Sequence, residues 1–220
     1  MTLKINSICP DFEANTSEGN ISFHKWLGDS WGLLFSHPKD FTPVCTTELG
    51  TLAKMKDEFE ERNIKIIGLS VDSIENHHVW LKDIEDLSGT KPNYPIIADE
   101  NLQIAKLFNM LEGDVGTSSM GRTATDNETV RTVYVVRPDK RIGLMLTYPM
   151  STGRNFQEIL RAIDSMQLTS NYQVATPVNW KKGDDVFILP SVDNKTAEKY
   201  FPEGWDTLKP YMRKVRDPSE

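Results

Sequence analysis

Between Leu33 and Met166 the hydrophobic pattern changes period repeatedly, and few architectures accommodate such switching. Leu33-Leu34-Phe35 is a short buried-strand signal, and Leu49, Leu52, Ala53 and Phe59 then fall at helical spacing, which predicts one amphipathic helix over about 43–62. Ile64–Val71 is apolar and β-branched, the pattern of a central strand. Trp80, Ile84 and Leu87 predict a helix over 74–87, Pro95-Ile96-Ile97 a short extended piece, and Leu102, Ala105, Leu107 and Phe108 a short helix. Thr132–Val136 and Ile142–Tyr148 flank Arg137-Pro138-Asp139-Lys140 as a hairpin. Phe156, Ile159, Leu160, Ile163 and Met166 then mark a strong helix, whereas 90–93 and 112–127 read as loops. Alternating strands and helices, closed by a hairpin and a last helix, predict an α/β sheet sandwiched between helices.

From about Leu168 the character changes. Pro177, Trp180, Pro190, Phe201, Pro202, Trp205 and Pro210 are interspersed with charges, with little periodicity beyond a strand at 186–189 and a short helix at 193–200. A chain of 220 residues has room for a main domain over 1–167 and a small α+β domain over 168–220. Those apolar anchors are too many for a free linker, so the second domain is expected to dock on the core or on another subunit.

The formal charge is −7, which argues against nucleic acid as a general partner. Two cysteines, Cys9 and Cys45, are too few for a disulfide framework or a thiolate zinc site. The start lacks the apolar core of a secretory signal and no apolar run reaches membrane-spanning length. A cytoplasmic, thiol-reducing setting is therefore expected. His77 and His78 are adjacent and so diverge on a helix; they are expected to be solvated, and no other His/Asp/Glu spacing suggests a metal.

The chemistry concentrates at Pro38-Lys39-Asp40-Phe41-Thr42-Pro43-Val44-Cys45-Thr46-Thr47-Glu48, between a buried strand and the helix that follows. Thr42 is a natural N-cap and Pro43 suits the first helical position. Cys45 then lies in the first turn, where unpaired N–H groups and the positive end of the helix dipole favour thiolate over thiol. From this turn alone Cys45 is either a reactive thiolate or an inert, buried small hydrophobe.

The string Phe35-Ser36-His37-Pro38-Lys39-Asp40-Phe41-Thr42-Pro43-Val44-Cys45-Thr46-Thr47-Glu48 resembles the active-site segment of the peroxiredoxins, with their proline, threonine and cysteine spacing at Pro38, Thr42 and Cys45. The likeness extends through Asp29-Ser30-Trp31-Gly32, Pro95-Ile96-Ile97, Thr152-Gly153-Arg154-Asn155-Phe156 and Ala175-Thr176-Pro177-Val178-Asn179-Trp180, and points to the 1-Cys, peroxiredoxin-6-like branch. It implies a thioredoxin-like central sheet, a homodimer, and reduction of hydrogen peroxide and organic hydroperoxides. It also implies that Cys45 attacks the peroxide and becomes a sulfenic acid, that Arg131 stabilises the thiolate and orients the peroxide, that Thr42 offers its hydroxyl, and that Pro38 shields the sulfur from water. Glu48, one turn after Cys45, is placed to orient Arg131 or Arg154. His37 falls where the branch has a histidine by the pocket, either exchanging protons with a bound water or serving as a hydrogen-bonded wall. An exposed, anionic Cys45 would be prone to overoxidation to sulfinic or sulfonic acid.

No cysteine follows Cys45, so the C-terminal resolving thiol of 2-Cys relatives is absent. Cys9 is the remaining candidate and reads as a structural or exposed thiol in an early extended segment. Regeneration is expected from an external thiol (glutathione, a glutathione transferase partner or thioredoxin), with no cofactor. Two further readings stay open. Gly28-Asp29-Ser30-Trp31-Gly32 fits G-x-S-x-G, yet Ser30 precedes its strand where the lipase-type template places the serine after one. The resembling branch nevertheless implies a phospholipase A2-type activity, and hence contact with membrane lipid, with Ser30, His24 and Asp139 as its residues. The other reading, a non-catalytic chaperone or interaction protein, is opposed by the intact Pro38, Thr42, Cys45 and Arg131 set.

Overall fold

A computed structural model describes residues 3–112 and 128–220. The expected loop at 112–127 lies, except for Glu112, outside the described residues. The chain forms two compact units, 1–154 and 155–220.

In the first unit β1 (Glu13–Thr16) and β2 (Gly19–Ser22) form an antiparallel hairpin followed by helix α1 (Phe23–Leu27). Then come β3 (Trp31–Ser36), α2 (Pro43–Lys54), α3 (Lys56–Glu60), β4 (Ile64–Ser70), α4 (Ile74–Ser88), β5 (Ile96–Ala98), α5 (Gln103–Leu107), β6 (Arg131–Val136) and β7 (Ile142–Tyr148). The seven-stranded sheet has the order β2-β1-β5-β4-β3-β6-β7. β4 pairs parallel with both β3 and β5, whereas β6 runs antiparallel to β3 and to β7. Central strands must be apolar on both faces, and β3 and β6 are accordingly buried at every position.

The helix expected over about 43–62 is in fact two. Met55, at φ −88° and ψ 2°, leaves helical geometry between α2 and α3, and the turn buries both Met55 and Phe59. α2 and α4 pack so closely that a Cβ on Gly50 would stand 2.8 Å from Ser88 Cβ, so glycine is required there. α4 is bounded by its own chemistry: Ser73 Oγ accepts from the Asn76 N–H, and Gly89 ends the helix at φ +75°. One core cluster joins Leu27, Leu34, Ile67, Leu69, Ile97, Phe108, Tyr134 and Ile142. Cys9 lies in it with no exposed surface, so of the two readings, structural or exposed, it is the structural one.

In the second unit α6 (Phe156–Asn171) is followed by β8 (Val174–Ala175), β9 (Val186–Ile188), α7 (Asn194–Tyr200), β10 (Asp206–Lys209) and β11 (Met212–Val215). The four strands form an antiparallel sheet in the order β10-β11-β9-β8. Its core comprises Leu168, Val174, Trp180, Val186, Ile188, Val192, Ala197 and Phe201. The division falls at 154/155, so that α6 counts with the second unit, whereas the sequence reading places the boundary at 167/168.

Candidate active site

β3 delivers the chain to the site. Phe35 pairs with Val133 on antiparallel β6, so continuing both strands beyond that pair brings His37 and Arg131 to the sheet edge where α2 begins. β6 also pairs Arg131 with Tyr148 on β7, and the chain after β7 returns Met150 and Arg154 to the same edge. Sheet register thus gathers residues more than a hundred positions apart in sequence, such as Arg154 and Glu48.

Cys45 sits in the first turn of α2, behind Pro43. Thr42 has the extended backbone of an N-cap residue, but its hydroxyl makes no capping bond. It donates instead to the Lys39 carbonyl at 2.9 Å, which corrects the expected capping role. The preceding Phe41 adopts φ +56°, a left-handed conformation costing about 1–2 kcal/mol for a bulky side chain. Thr46 Oγ1 donates to the Thr42 carbonyl and accepts from Trp80 Nε1, tying the turn to α4.

Cys45 has no exposed surface, which corrects the exposed thiol expected from sequence. The structure brings Cys45, Arg131, Glu48 and Arg154 together in one bonded chain. Arg131 Nη1 lies 3.3 Å from Cys45 Sγ and 2.7 Å from Glu48 Oε2, while Arg131 Nε donates to the Met150 carbonyl at 2.7 Å. Arg154 clasps Glu48 through Nε (2.9 Å to Oε1), Nη2 (2.6 Å to Oε2) and its backbone N–H (2.8 Å to Oε1). Arg154 Nη1 also donates to the carbonyls of Ser36 and Thr132, and its guanidinium lies over the Phe35 ring. Burial pushes the Glu48 carboxyl up, but the Arg154 hydrogen bonds and the two guanidinium charges outweigh it and hold the group below the usual carboxylate range. Arg131 is thereby fixed with one N–H on the sulfur, a geometry suited to holding a thiolate and the charge of an attacking peroxide.

Behind this chain lies a second cluster that the sequence reading missed. His37 Nε2 is 2.8 Å from Asp40 Oδ1, and His77 Nδ1 is 2.6 Å from Asp40 Oδ2, all three residues being buried. His77 is therefore not solvated as expected: it shares the inner face of α4 with Trp80, Leu81 and Ile84, while His78 is exposed. Their spacing after His77 carried that signal. Burial raises the Asp40 carboxyl, but hydrogen bonds from the two histidines, and then their charges, bring it down to about 2. His37, Asp40 and Asp72 offer ligand atoms within 4.8 Å of one another, in a grouping not foreseen from sequence. The Asp40 N–H and the Ser70 hydroxyl both donate to Asp72 Oδ2, so these groups already bond within the cluster.

Pro38 is buried beside these residues in sequence. The lipase-type trio does not assemble. Ser30 donates to Asn63 Oδ1 at 2.8 Å, His24 Nε2 faces the Cys9 carbonyl at 2.9 Å, and Asp139 pairs with Arg137 and Arg141. No hydrogen bond among the described residues links any two of the three. Cys9 is equally unsuited to react: burial, with the Asp11 charge nearby, pushes its thiol up to about 12.

Comparison with known proteins places the chain in a family. The AhpC/TSA family profile matches residues 5–145, and that of the C-terminal domain of 1-Cys peroxiredoxin matches residues 165–204. The chain is 50% identical to 1-Cys peroxiredoxin of Dictyostelium discoideum over 99% of its own length and 87% of that protein's. It is 48% identical to human peroxiredoxin-6, with 98% of each covered. Among solved structures, a cysteine-to-serine mutant of peroxiredoxin 6 from Arenicola marina superposes with TM-score 0.89 at 42% identity, both chains covered in full. A yeast mitochondrial 1-Cys peroxiredoxin, studied for thiol resolution via the glutathione and thioredoxin systems, does so with TM-score 0.87 at 45% identity, over 98% of this chain and 100% of that one. A thioredoxin-like sheet, a 1-Cys-type C-terminal domain and an arginine-held cysteine on the first turn of α2 converge on one conclusion: the chain belongs to the AhpC/TSA family, in its 1-Cys, peroxiredoxin-6-like branch, and is a thiol-dependent peroxidase.

Proposed function

We propose that Cys45 is the peroxidatic residue and reduces hydrogen peroxide and organic hydroperoxides. The observation that carries this is the contact of Arg131 Nη1 with Cys45 Sγ at the start of α2. The thiolate attacks one peroxide oxygen; the S–O bond forms as the O–O bond breaks. The sulfur is oxidised by two electrons to the sulfenic acid, and the departing oxygen takes a proton to leave as water or an alcohol. Arg131 stabilises both the thiolate and the charge moving onto oxygen, Glu48 and Arg154 hold Arg131 in place, and Pro38 and Thr42 shape the turn around the sulfur.

An external thiol then attacks the sulfenic sulfur, expelling water and leaving a mixed disulfide. A second thiol releases Cys45 and departs as the oxidised disulfide. The yeast relative's glutathione and thioredoxin systems support the same classes of reductant here. A homodimer and a cytoplasmic setting belong to this reading. β7 ends the sheet order, a place for a second copy to add a strand, and both cysteines are free thiols, as a reducing compartment keeps them.

The test is peroxide consumption with a small dithiol. Cys45→Ser is expected to abolish turnover and Cys9→Ser to leave it intact. A collapse in Cys9→Ser with activity retained in Cys45→Ser would reverse the assignment.

A further inference from the structure

His77 Nδ1 faces the Asp40 carboxylate at 2.6 Å, and His77 Nε2 faces the Ile97 carbonyl on β5 at 3.2 Å. Both partners only accept, so a ring carrying one hydrogen satisfies one contact and turns a lone pair toward the other. His37 differs. Its Nε2 reaches Asp40 at 2.8 Å, but its Nδ1 is buried with no hydrogen-bond partner among the described residues. A hydrogen on that nitrogen would be an unsatisfied buried donor. The positive charge that balances the buried Asp40 anion therefore has one favourable home.

We propose that His77 is a buried imidazolium paired with Asp40, and that this pair holds His37 as a neutral ring with its hydrogen on Nε2 and Nδ1 bare. His77 and Asp40 are then positioning residues acting through His37, which opens the turn leading to Pro38, Thr42 and Cys45. The low-lying Asp40 carboxyl is consistent with this. The titratable groups bonded into the cluster are His37 from the loop after β3, Asp40, Asp72 after β4 and His77 from α4. Asp72 meets Asp40 through the Asp40 N–H, and the Ser70 hydroxyl donates to Asp72 at 2.9 Å while lying 3.5 Å from Asp40 Oδ1. Trp80 packs on the His37 ring at 5.2 Å and bonds Thr46, the neighbour of Cys45.

The proposal is tested by histidine side-chain nitrogen NMR of the full-length protein, together with the pH profile of Cys45 oxidation by hydrogen peroxide. In the wild type at neutral pH His77 should show hydrogens on both nitrogens, and His37 one protonated and one bare nitrogen. In His77→Gln, Asp40 should draw the second hydrogen onto His37, changing the His37 nitrogen spectrum and the pH profile of Cys45 oxidation. In Asp40→Asn, His77 should lose one hydrogen. A bare nitrogen on wild-type His77 at neutral pH overturns the proposal, and this spectrum needs no variant to fold. An unchanged His37 spectrum and profile in folded His77→Gln overturns the positioning role. The kinetic arm rests on the peroxidase reading of Cys45, whereas the wild-type spectrum does not; if peroxide leaves Cys45 unoxidised while the nitrogens behave as stated, that reading fails and the charge assignment stands.

Discussion

Arg131 and Cys45, separated by 86 positions in sequence, meet through one guanidinium N–H pointed at a sulfur 3.3 Å away. Removing that donor should slow the reaction with peroxide while sparing the rest of the turn. Arg131→Ala is expected to lower the rate of Cys45 oxidation about 10²–10³-fold, the usual effect of deleting a donor aimed at developing charge. Stopped-flow oxidation with hydrogen peroxide checks the rate, and near-ultraviolet circular dichroism checks that the fold persists.

Glu48 is the shared anion of two buried guanidiniums, so its loss removes a charge to which both are bonded. Glu48→Gln should destabilise the protein by about 3–5 kcal/mol. Because the folded carboxyl lies below its ordinary range, its stabilisation is present above the unfolded-state value and disappears as pH falls through the folded one. Denaturant midpoints measured from neutral to acid pH should fall steeply in the wild type. In Glu48→Gln that part of the slope should be missing.

Cys9 and Cys45 are both buried, but only Cys45 has a guanidinium beside it. In Cys9→Ser, peroxide turnover should stay within about twofold of wild type, with stability lowered by about 1–3 kcal/mol for the buried hydroxyl. In the native wild type, alkylation followed by mass spectrometry should mark Cys45 first and Cys9 only on unfolding. Early labelling of Cys9 would contradict its place in the core.

Gly50 sits where α2 meets α4, and an added methyl would stand 2.8 Å from Ser88 Cβ. Gly50→Ala should lower the thermal midpoint, overpacking outweighing helix propensity by about 1–3 kcal/mol. Adding Ser88→Gly should recover part of the loss. Equal melting of Gly50→Ala and wild type would show that the two helices are free to separate.

What could be read from the sequence depended on burial. β3, β4 and the β6–β7 hairpin were legible because apolar strand runs stand out, and α4 and α6 because their core faces repeat at helical spacing. The β1–β2 hairpin was not, since its residues are mostly exposed or half-buried, and β10 is exposed at every position. At the site, Cys45 and Glu48 were legible as neighbours one helical turn apart, whereas Arg131 and Arg154 needed the family likeness because sheet register, not sequence proximity, brings them in. His77 was misjudged because adjacency shows that two histidines diverge without showing which one faces the core. Asp40 went unnoticed because its partners come from the loop before it and from a helix after the next strand.

The clasp on Glu48 sets a boundary for traffic around the sulfur. A peroxide is small, but for a thiol reductant to reach a sulfur with no exposed surface the start of α2 would have to lift away. Three residues on, Arg154 grips the same helix through its side chain and its backbone. With Cys45 read as the peroxidatic residue, any fraying that begins at Pro43 would meet a stop at Glu48, leaving the arginine cradle assembled while the sulfur is presented to a reductant.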